Sequence, residues 1–197
     1  MKVCIVGNSP NMLDNNLGEK IDACDHVIRI NDFVIDGFEN KIGSKTTIVA
    51  AGFSSASKMV KGDYPTSNLM DTCDIWVLHP EDGRIHRVVN YGVKKDRIFV
   101  INDAQYSFLK QVVYKNFWRK VPSCGIATIQ MALDYFENNE IFIVGFDENT
   151  GKEGKGHYYE KDFLDIDLPG DPVGHDWASE NSYIRELVSS GKLKRLY

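Results

Sequence analysis

Lys2–Phe33, KVCIVGNSPNMLDNNLGEKIDACDHVIRINDF, decides how this chain is read. Val3-Cys4-Ile5-Val6 is a short apolar run of the length and residue type of a buried parallel strand. It breaks at Gly7-Asn8-Ser9-Pro10, a turn-forming cluster. A second β-type run, His26–Ile30, also ends at an asparagine, Asn31. In open α/β sheets, ligands bind in the crevice outside the carboxyl ends of the strands. Two asparagines at two such ends offer amide donors and acceptors to one ligand, and a nucleotide or sugar phosphate is the natural candidate.

Further strand signals fall at Thr46–Ala50, Ile75–Leu78, Arg97–Ile101 and Ile141–Gly145. Helical stretches are expected at Ser54–Val60, Arg84–Tyr91, Gln105–Phe117, Ile126–Glu137 and Ala178–Ser190. This alternation predicts an α/β fold, one Rossmann-like domain over residues 1–197 with a mostly parallel sheet. Ile126, Ile129, Leu133 and Phe136 form an apolar helical stripe, Ser123 is placed to cap it, and Gly191 to end the last helix. The aromatic stretch Tyr106–Trp118 reads as core, and Lys192–Arg195 as a solvated face, near an acidic substrate or a membrane. Asp147–Gly156 and Asp162–Gly174 are polar or irregular and read as loops, where binding and catalysis concentrate.

A net charge of −5, with no Lys/Arg-rich block, argues against nucleic acid as a partner. The first strand is too short for a secretory core or a membrane span, which predicts a cytoplasmic protein with at most weak peripheral membrane contact. Cys4, Cys24, Cys73 and Cys124 lack CxxC pairing and read as reduced thiols rather than zinc ligands.

The turn Gly7–Met12 holds one glycine, so the dinucleotide fingerprint is missing, as are a P-loop and a nucleophile elbow. His157, before Tyr158-Tyr159-Glu160, and His175, five residues before Glu180, both stand in loop sequence. They read either as ordinary surface histidines or as a pair in which one removes a hydroxyl proton and the other helps a phosphate depart. Asp165-Ile166-Asp167 has the D-x-D form of metal-dependent sugar transferases, but no further ligands accompany it, so no metal is expected. His26, His79 and His86 read as structural or surface residues.

Taken in order, these segments resemble the sialyltransferases of glycosyltransferase family 29. The large motif is similar to Cys4–Ser9, Asp25–Asn31, Gly37–Glu39 and Gly43–Thr47. The small motif is similar to Pro122–Gly125 with Ala132-Leu133 and Gly145-Phe146. The third motif resembles His157–Glu160, and the very small motif, H-x-x-x-x-E, resembles His175–Glu180. Four motifs in the family's order span Cys4–Glu180, nearly the whole chain.

The resemblance implies a modified GT-A type sheet, a CMP-linked acidic sugar as donor substrate, inversion at the anomeric carbon, and no cofactor or metal. It implies His175 as the base on the acceptor hydroxyl and His157 at the departing phosphate. Asn8, Ser9 and Asn31 would hold the nucleotide, Ser123, Cys124 and Gly125 would approach the donor through the backbone, and Tyr158 would contact the phosphate. Glu180 would orient the loop that carries His175.

Some positions depart from the family. The cysteine that in secretory members bridges to the large motif falls near Phe136 here, Cys124 replaces a small hydroxyl residue, and the usual anchor and stem are not expected. Asp147 replaces a glycine, as in bacterial lipooligosaccharide sialyltransferases, and is expected to touch the donor. The expected function is transfer of sialic acid from CMP-sialic acid to a glycan, such as a capsule or lipooligosaccharide precursor. The rivals are CMP-Kdo as donor, a non-catalytic CMP- or glycan-binding module, and a phosphoesterase using the two histidines.

Overall fold

The computed structural model describes residues 1–52, 69, 72–78, 94–113, 121–146, 157–159 and 175–197. The expected helices Ser54–Val60 and Arg84–Tyr91, both polar loops, Asp165–Asp167, His79 and His86 lie outside the described residues.

In chain order the elements are β1 (Lys2–Val6), α1 (Gly18–Asp22), β2 (His26–Ile30), α2 (Glu39–Ile42), β3 (Ile48–Ala51), β4 (Asp74–Val77), β5 (Ile98–Val100), α3 (Asp103–Val112), α4 (Cys124–Tyr135), β6 (Glu140–Val144), α5 (Trp177–Ser189) and β7 (Lys194–Arg195). Short 3-10 helices span Pro10–Asp14 and Lys95–Arg97. The strands form one sheet in the order β5-β4-β3-β2-β1-β6-β7. All its pairings are parallel, as the runs of Val and Ile without polar alternation require.

Side chains alternate between two covered faces. Val3, Ile5, Ile28, Ile30, Ile48 and Trp76 point to the face that Leu109 of α3, Ile126, Ile129 and Ala132 of α4, and Ile184 and Leu187 of α5 complete. Cys4, Val6 and Val27 point the other way, against Met12, Leu17, Ile21 and Ile42. Val49, Ala51, Ile75 and Val77 continue that second face under Phe33. Truncating one of the central residues, Ile5→Ala for example, removes contacts that typically carry about 2–5 kcal/mol.

Most element boundaries shift by one or two residues for identifiable reasons. Thr46 and Thr47 precede β3 because their hydroxyls accept from Arg29 Nε and Val27 N. Gly145, at φ 73°, turns the chain out of β6. Asn102 and Gln105 close a capping box and start α3 two residues early. Within α3, Tyr106 packs inward while Phe108 is exposed, so the aromatic stretch is only partly core. Ser123 caps α4 through Ile126 N, and Gly191 takes the left-handed conformation at φ 76°. In the basic stretch at the C-terminus Lys192 and Lys194 are exposed, as a solvated face requires, and Lys194 and Arg195 form β7, an edge strand on β6. Lysine at an exposed edge discourages pairing with a second chain.

Candidate functional site

The sheet order descends from β5 to β1 and then continues with β6, so the direction of winding reverses between β1 and β6. Ligand crevices of α/β sheets open at the carboxyl ends of such a pair. Here Val6 is in register with Val144, and two glycines follow. Gly7 N donates to Val144 O at 2.8 Å, and Ser9 N to Gly145 O at 3.3 Å. A Cβ on Gly7 would stand 2.3 Å from Gly145 O, and one on Gly145 2.8 Å from Gly7 O. The loops cross so closely that both positions exclude a side chain.

Asn8 fastens this crossing to the end of β2. Its Nδ2 donates to Ile30 O and Asp32 O, both at 3.0 Å, so both amide hydrogens are placed within the fold. Ser9 accepts from Asn11 N and starts the 3-10 helix. Asn31 adopts the left-handed conformation at φ 53°, which asparagine tolerates better than most residues. Its Oδ1 accepts from Gly52 N at 2.9 Å, beyond the end of β3. The Cys124 thiol, in the first turn of α4, lies against the Asn31 side chain and Gly52 N–H. Burial pushes that thiol above its ordinary range, and these two donors only partly oppose the shift.

The start of α4 holds the C-terminal motif. Glu180 is 3% exposed, and its carboxylate accepts from Ser123 N at 3.0 Å and Ser123 Oγ at 2.5 Å. Ser123 Oγ also accepts from Ile126 N at 3.2 Å, so one hydroxyl caps the helix and holds a buried carboxyl group. His175 Nδ1 lies 2.9 Å from Val121 O. A carbonyl only accepts, so Nδ1 carries the proton and the neutral ring has its lone pair on Nε2. Trp177 packs edge-on against the ring at 5.1 Å.

The third motif docks on the loops after β1 and β2. Tyr158 N donates to Asn8 O at 3.0 Å, and Tyr159 Oη to Asp32 O at 2.8 Å. His157 stacks on Tyr159 with the ring planes 2° apart. Tyr158 does not fit the phosphate contact expected of it. It is buried, and its hydroxyl donates to Val34 O at 2.7 Å while accepting from Val34 N at 3.1 Å. Burial, the larger effect, pushes the phenol up to about 12 despite the Val34 hydrogen bond and nearby Arg29. Tyr158 is a strut.

Contacts therefore run from His157 and Tyr159 through Asp32 to Asn8, from Asn31 to Cys124, and from Ser123 to Glu180, while His175 is tied to Val121, two residues before Ser123. Asp147 lies outside the described residues. The sequence reading placed Phe146 in the small motif without a role; its ring would meet a Cβ on Gly125 at 3.1 Å and one on Gly7 at 3.3 Å. It wedges between the first loop and the start of α4. Arg29, within the large motif, was likewise given no role: it is 1% exposed and donates to Ile42 O, Gly43 O, Lys45 O and Thr46 Oγ1.

The model for glycosyltransferase family 29 (sialyltransferase) matches residues 1–84. CMP-N-acetylneuraminate-beta-galactosamide-alpha-2,3-sialyltransferase 1 of Sus scrofa is 30% identical over 209 residues, covering 98% of this chain and 57% of the relative. The corresponding sialyltransferase 4 of Homo sapiens is 24% identical, covering 98% of this chain and 63% of its own. This chain thus spans about three fifths of these curated relatives. Among solved structures, a mammalian sialyltransferase superposes with a TM-score of 0.70 at 22% identity, covering 99% of this chain and 68% of that one. The sialyltransferase CstII from Campylobacter jejuni, in complex with a substrate analogue, cytidine-5'-monophosphate, gives 0.61 at 16% identity, with coverage of 99% and 79%. Motif order, the family model over residues 1–84 and the fold agree, and this chain is similar to the glycosyltransferase family 29 sialyltransferases.

Proposed function

We propose that this protein is an inverting, metal-independent sialyltransferase working as one catalytic domain over residues 1–197. It moves sialic acid from CMP-sialic acid to a hydroxyl of a glycan acceptor. The observation that carries the reading is His175, held through Nδ1 on Val121 O beside the buried Ser123–Glu180 pair. A ring fixed this way serves as a base through Nε2. The order of the four motifs and the names of the relatives support sialic acid as the transferred group.

In the proposed step, His175 Nε2 takes the proton of the acceptor hydroxyl as its oxygen attacks the anomeric carbon. The bond from that carbon to the CMP phosphate oxygen breaks, and the phosphate leaves with the electron pair. His157, aligned on Tyr159, donates to that departing oxygen. The Cys124 and Gly125 N–H groups in the first turn of α4 meet the phosphate, where a helix N-terminus favours negative charge. Both Asn8 amide hydrogens are engaged, so Asn8 meets the nucleotide through Oδ1, as an acceptor. Asp147 adds a donor contact. A capsule or lipooligosaccharide precursor is the proposed acceptor class, and the cytoplasm the proposed location. Among the described residues no helix is long and apolar enough to cross a membrane.

The test is CMP release from CMP-sialic acid and CMP-Kdo, side by side, with and without chelator. Release from CMP-sialic acid alone, unchanged by chelator, is expected. Selective release from CMP-Kdo replaces the sugar, and dependence on added metal overturns the metal-free step. His175→Ala is expected to lower turnover by about 10²–10⁴-fold while retaining CMP affinity. Near-normal turnover of that variant would remove the base assignment.

A further inference from the structure

We propose that Trp177 is the platform for the acceptor: its indole stacks on the C–H face of the pyranose whose hydroxyl reacts at His175. The inference rests on the proposed transfer reaction and adds to it a residue that holds the second substrate.

Trp177 opens α5. Asp176 caps that helix, its carboxylate accepting from Ser179 N at 3.1 Å and Ser179 Oγ at 2.8 Å. One turn on, the buried Glu180 is bound to Ser123, so the first turn of α5 is fastened on both sides. Trp177, Glu180, Ile184 and Leu187 follow at spacings of three, four and three and share one face of the helix. Glu180, Ile184 and Leu187 are buried, whereas Trp177, at the end of the same stripe, is 38% exposed. The core stops beneath it, and the indole stands half-open at the rim.

Single apolar side chains at a surface are ordinary. Among the described residues Met1, Phe108, Val112, Tyr135 and Tyr197 are exposed as well. Trp177 differs from them in its neighbour. Its ring meets the His175 imidazole with centroids 5.1 Å apart and planes at 71°. His175 turns Nδ1 to Val121 O, so Nε2 is the edge that meets a substrate. A hydroxyl within about 3 Å of Nε2 brings the ring that bears it alongside the indole.

The chemistry of the two partners matches. A pyranose carries its hydroxyls around a rim and C–H groups on its faces. An indole covers such a face with a large apolar surface, and its N–H donates to a sugar oxygen at the edge. Two side-chain torsions are fixed in the process, so a broad contact forms at low entropic cost. In the proposed reaction the nucleotide and phosphate meet the start of α4 and His157, which leaves the indole to the acceptor.

The experiment assays the full chain with CMP-sialic acid alone and with methyl β-galactoside, methyl β-glucoside or lactose added, measuring CMP and sialylated product separately. In the unaltered protein at least one of these sugars is expected to give product. Trp177→Ala is expected to raise the KM for that sugar about tenfold and to lower the ratio of transfer to donor hydrolysis in proportion. Trp177→Phe, which keeps an aromatic face, is expected to recover most of both. Should the alanine variant not fold, Trp177→Leu takes its place in the comparison with phenylalanine. An unchanged ratio overturns the platform. A parallel fall of transfer and hydrolysis also does so, because the indole then only supports His175. CMP release without product from any of the sugars overturns it too, and each of these results leaves the transferase reading standing. Absence of CMP release from the unaltered protein overturns that reading itself, and the platform with it.

Discussion

Replacing Ser123 by alanine tests the join between the start of α4 and the C-terminal motif. The hydroxyl donates to Glu180 Oε2 at 2.5 Å and accepts from Ile126 N at 3.2 Å. Loss of an N-cap typically costs about 0.5–2 kcal/mol. Loss of a hydrogen bond to a charged group costs about 1.5–3 kcal/mol. Both effects pass through one oxygen and share part of their cost, so the expected loss is about 3 kcal/mol. Ser123 N still donates to Oε1, which keeps the loss below that of a wholly unpaired buried charge. For a chain of this size the melting temperature should then fall by roughly 6–12 °C. Urea denaturation followed by tryptophan fluorescence measures the free energy, and Ser123→Thr, which keeps a hydroxyl that can cap, is expected to recover most of it. A loss under about 1 kcal/mol, or a threonine variant no better than alanine, would refute a hydroxyl that serves both partners.

Two further outcomes follow from the same geometry. Gly7→Ala drives a methyl to 2.3 Å from Gly145 O, so β1 and β6 must part at the switch point; CMP affinity by calorimetry is expected to fall about tenfold or more, and unchanged affinity would separate this crossing from the site. Asp22 is partly desolvated, which raises its pKa, but hydrogen bonds from Ser44 N, Lys45 N and Ser44 Oγ outweigh that and hold it below the ordinary 3.8. A group depressed in the folded state stabilises above its unfolded pKa and loses that contribution as pH falls through the folded value; Asp22→Asn is therefore expected to destabilise at neutral pH and converge with the parent in acid, in paired denaturation curves, and a pH-independent difference would contradict the assignment.

The sheet could be read from the sequence because each of its central strands carries its own signal. Val3–Val6 is buried on both faces and reads as an uninterrupted apolar run, and in His26–Ile30 Val27, Ile28 and Ile30 carry the signal around the buried Arg29. Helices α1 and α2 escaped because a single turn has no periodicity, and such turns persist only through packing, Ile21 and Ile42 being fully buried here. β7 escaped for another reason: two charged residues join the sheet because Leu193 is buried just before them, a tertiary effect with no local pattern. At the site, residue types indicated a polar cluster at strand ends, but not which of their atoms the protein would use. Tyr158 shows the difficulty, since a tyrosine after a histidine reads equally as a ligand contact or as a strut, and only the Val34 partners decide.

This use of polar side chains changes how the site is to be understood. Both Asn8 hydrogens, Asn31 Oδ1, Ser123 Oγ and the Tyr158 hydroxyl are committed to backbone or buried partners. Each ties two segments distant in sequence: β1 to β2, β2 to β3, α4 to α5, and the third motif to the loop after β2. The amides and hydroxyls thus fix where strand ends and helix starts stand, which pre-arranges a ligand site at its supports. Recognition of the donor then passes to atoms those side chains position: Asn8 Oδ1, the N–H groups opening α4, and the two imidazoles. Substitutions at Asn8, Asn31 or Ser123 are accordingly expected to lower stability and CMP affinity together. Substitution of His175, whose Nδ1 lies on Val121 O, is expected to lower turnover with much smaller effects on either, and that contrast distinguishes support from chemistry.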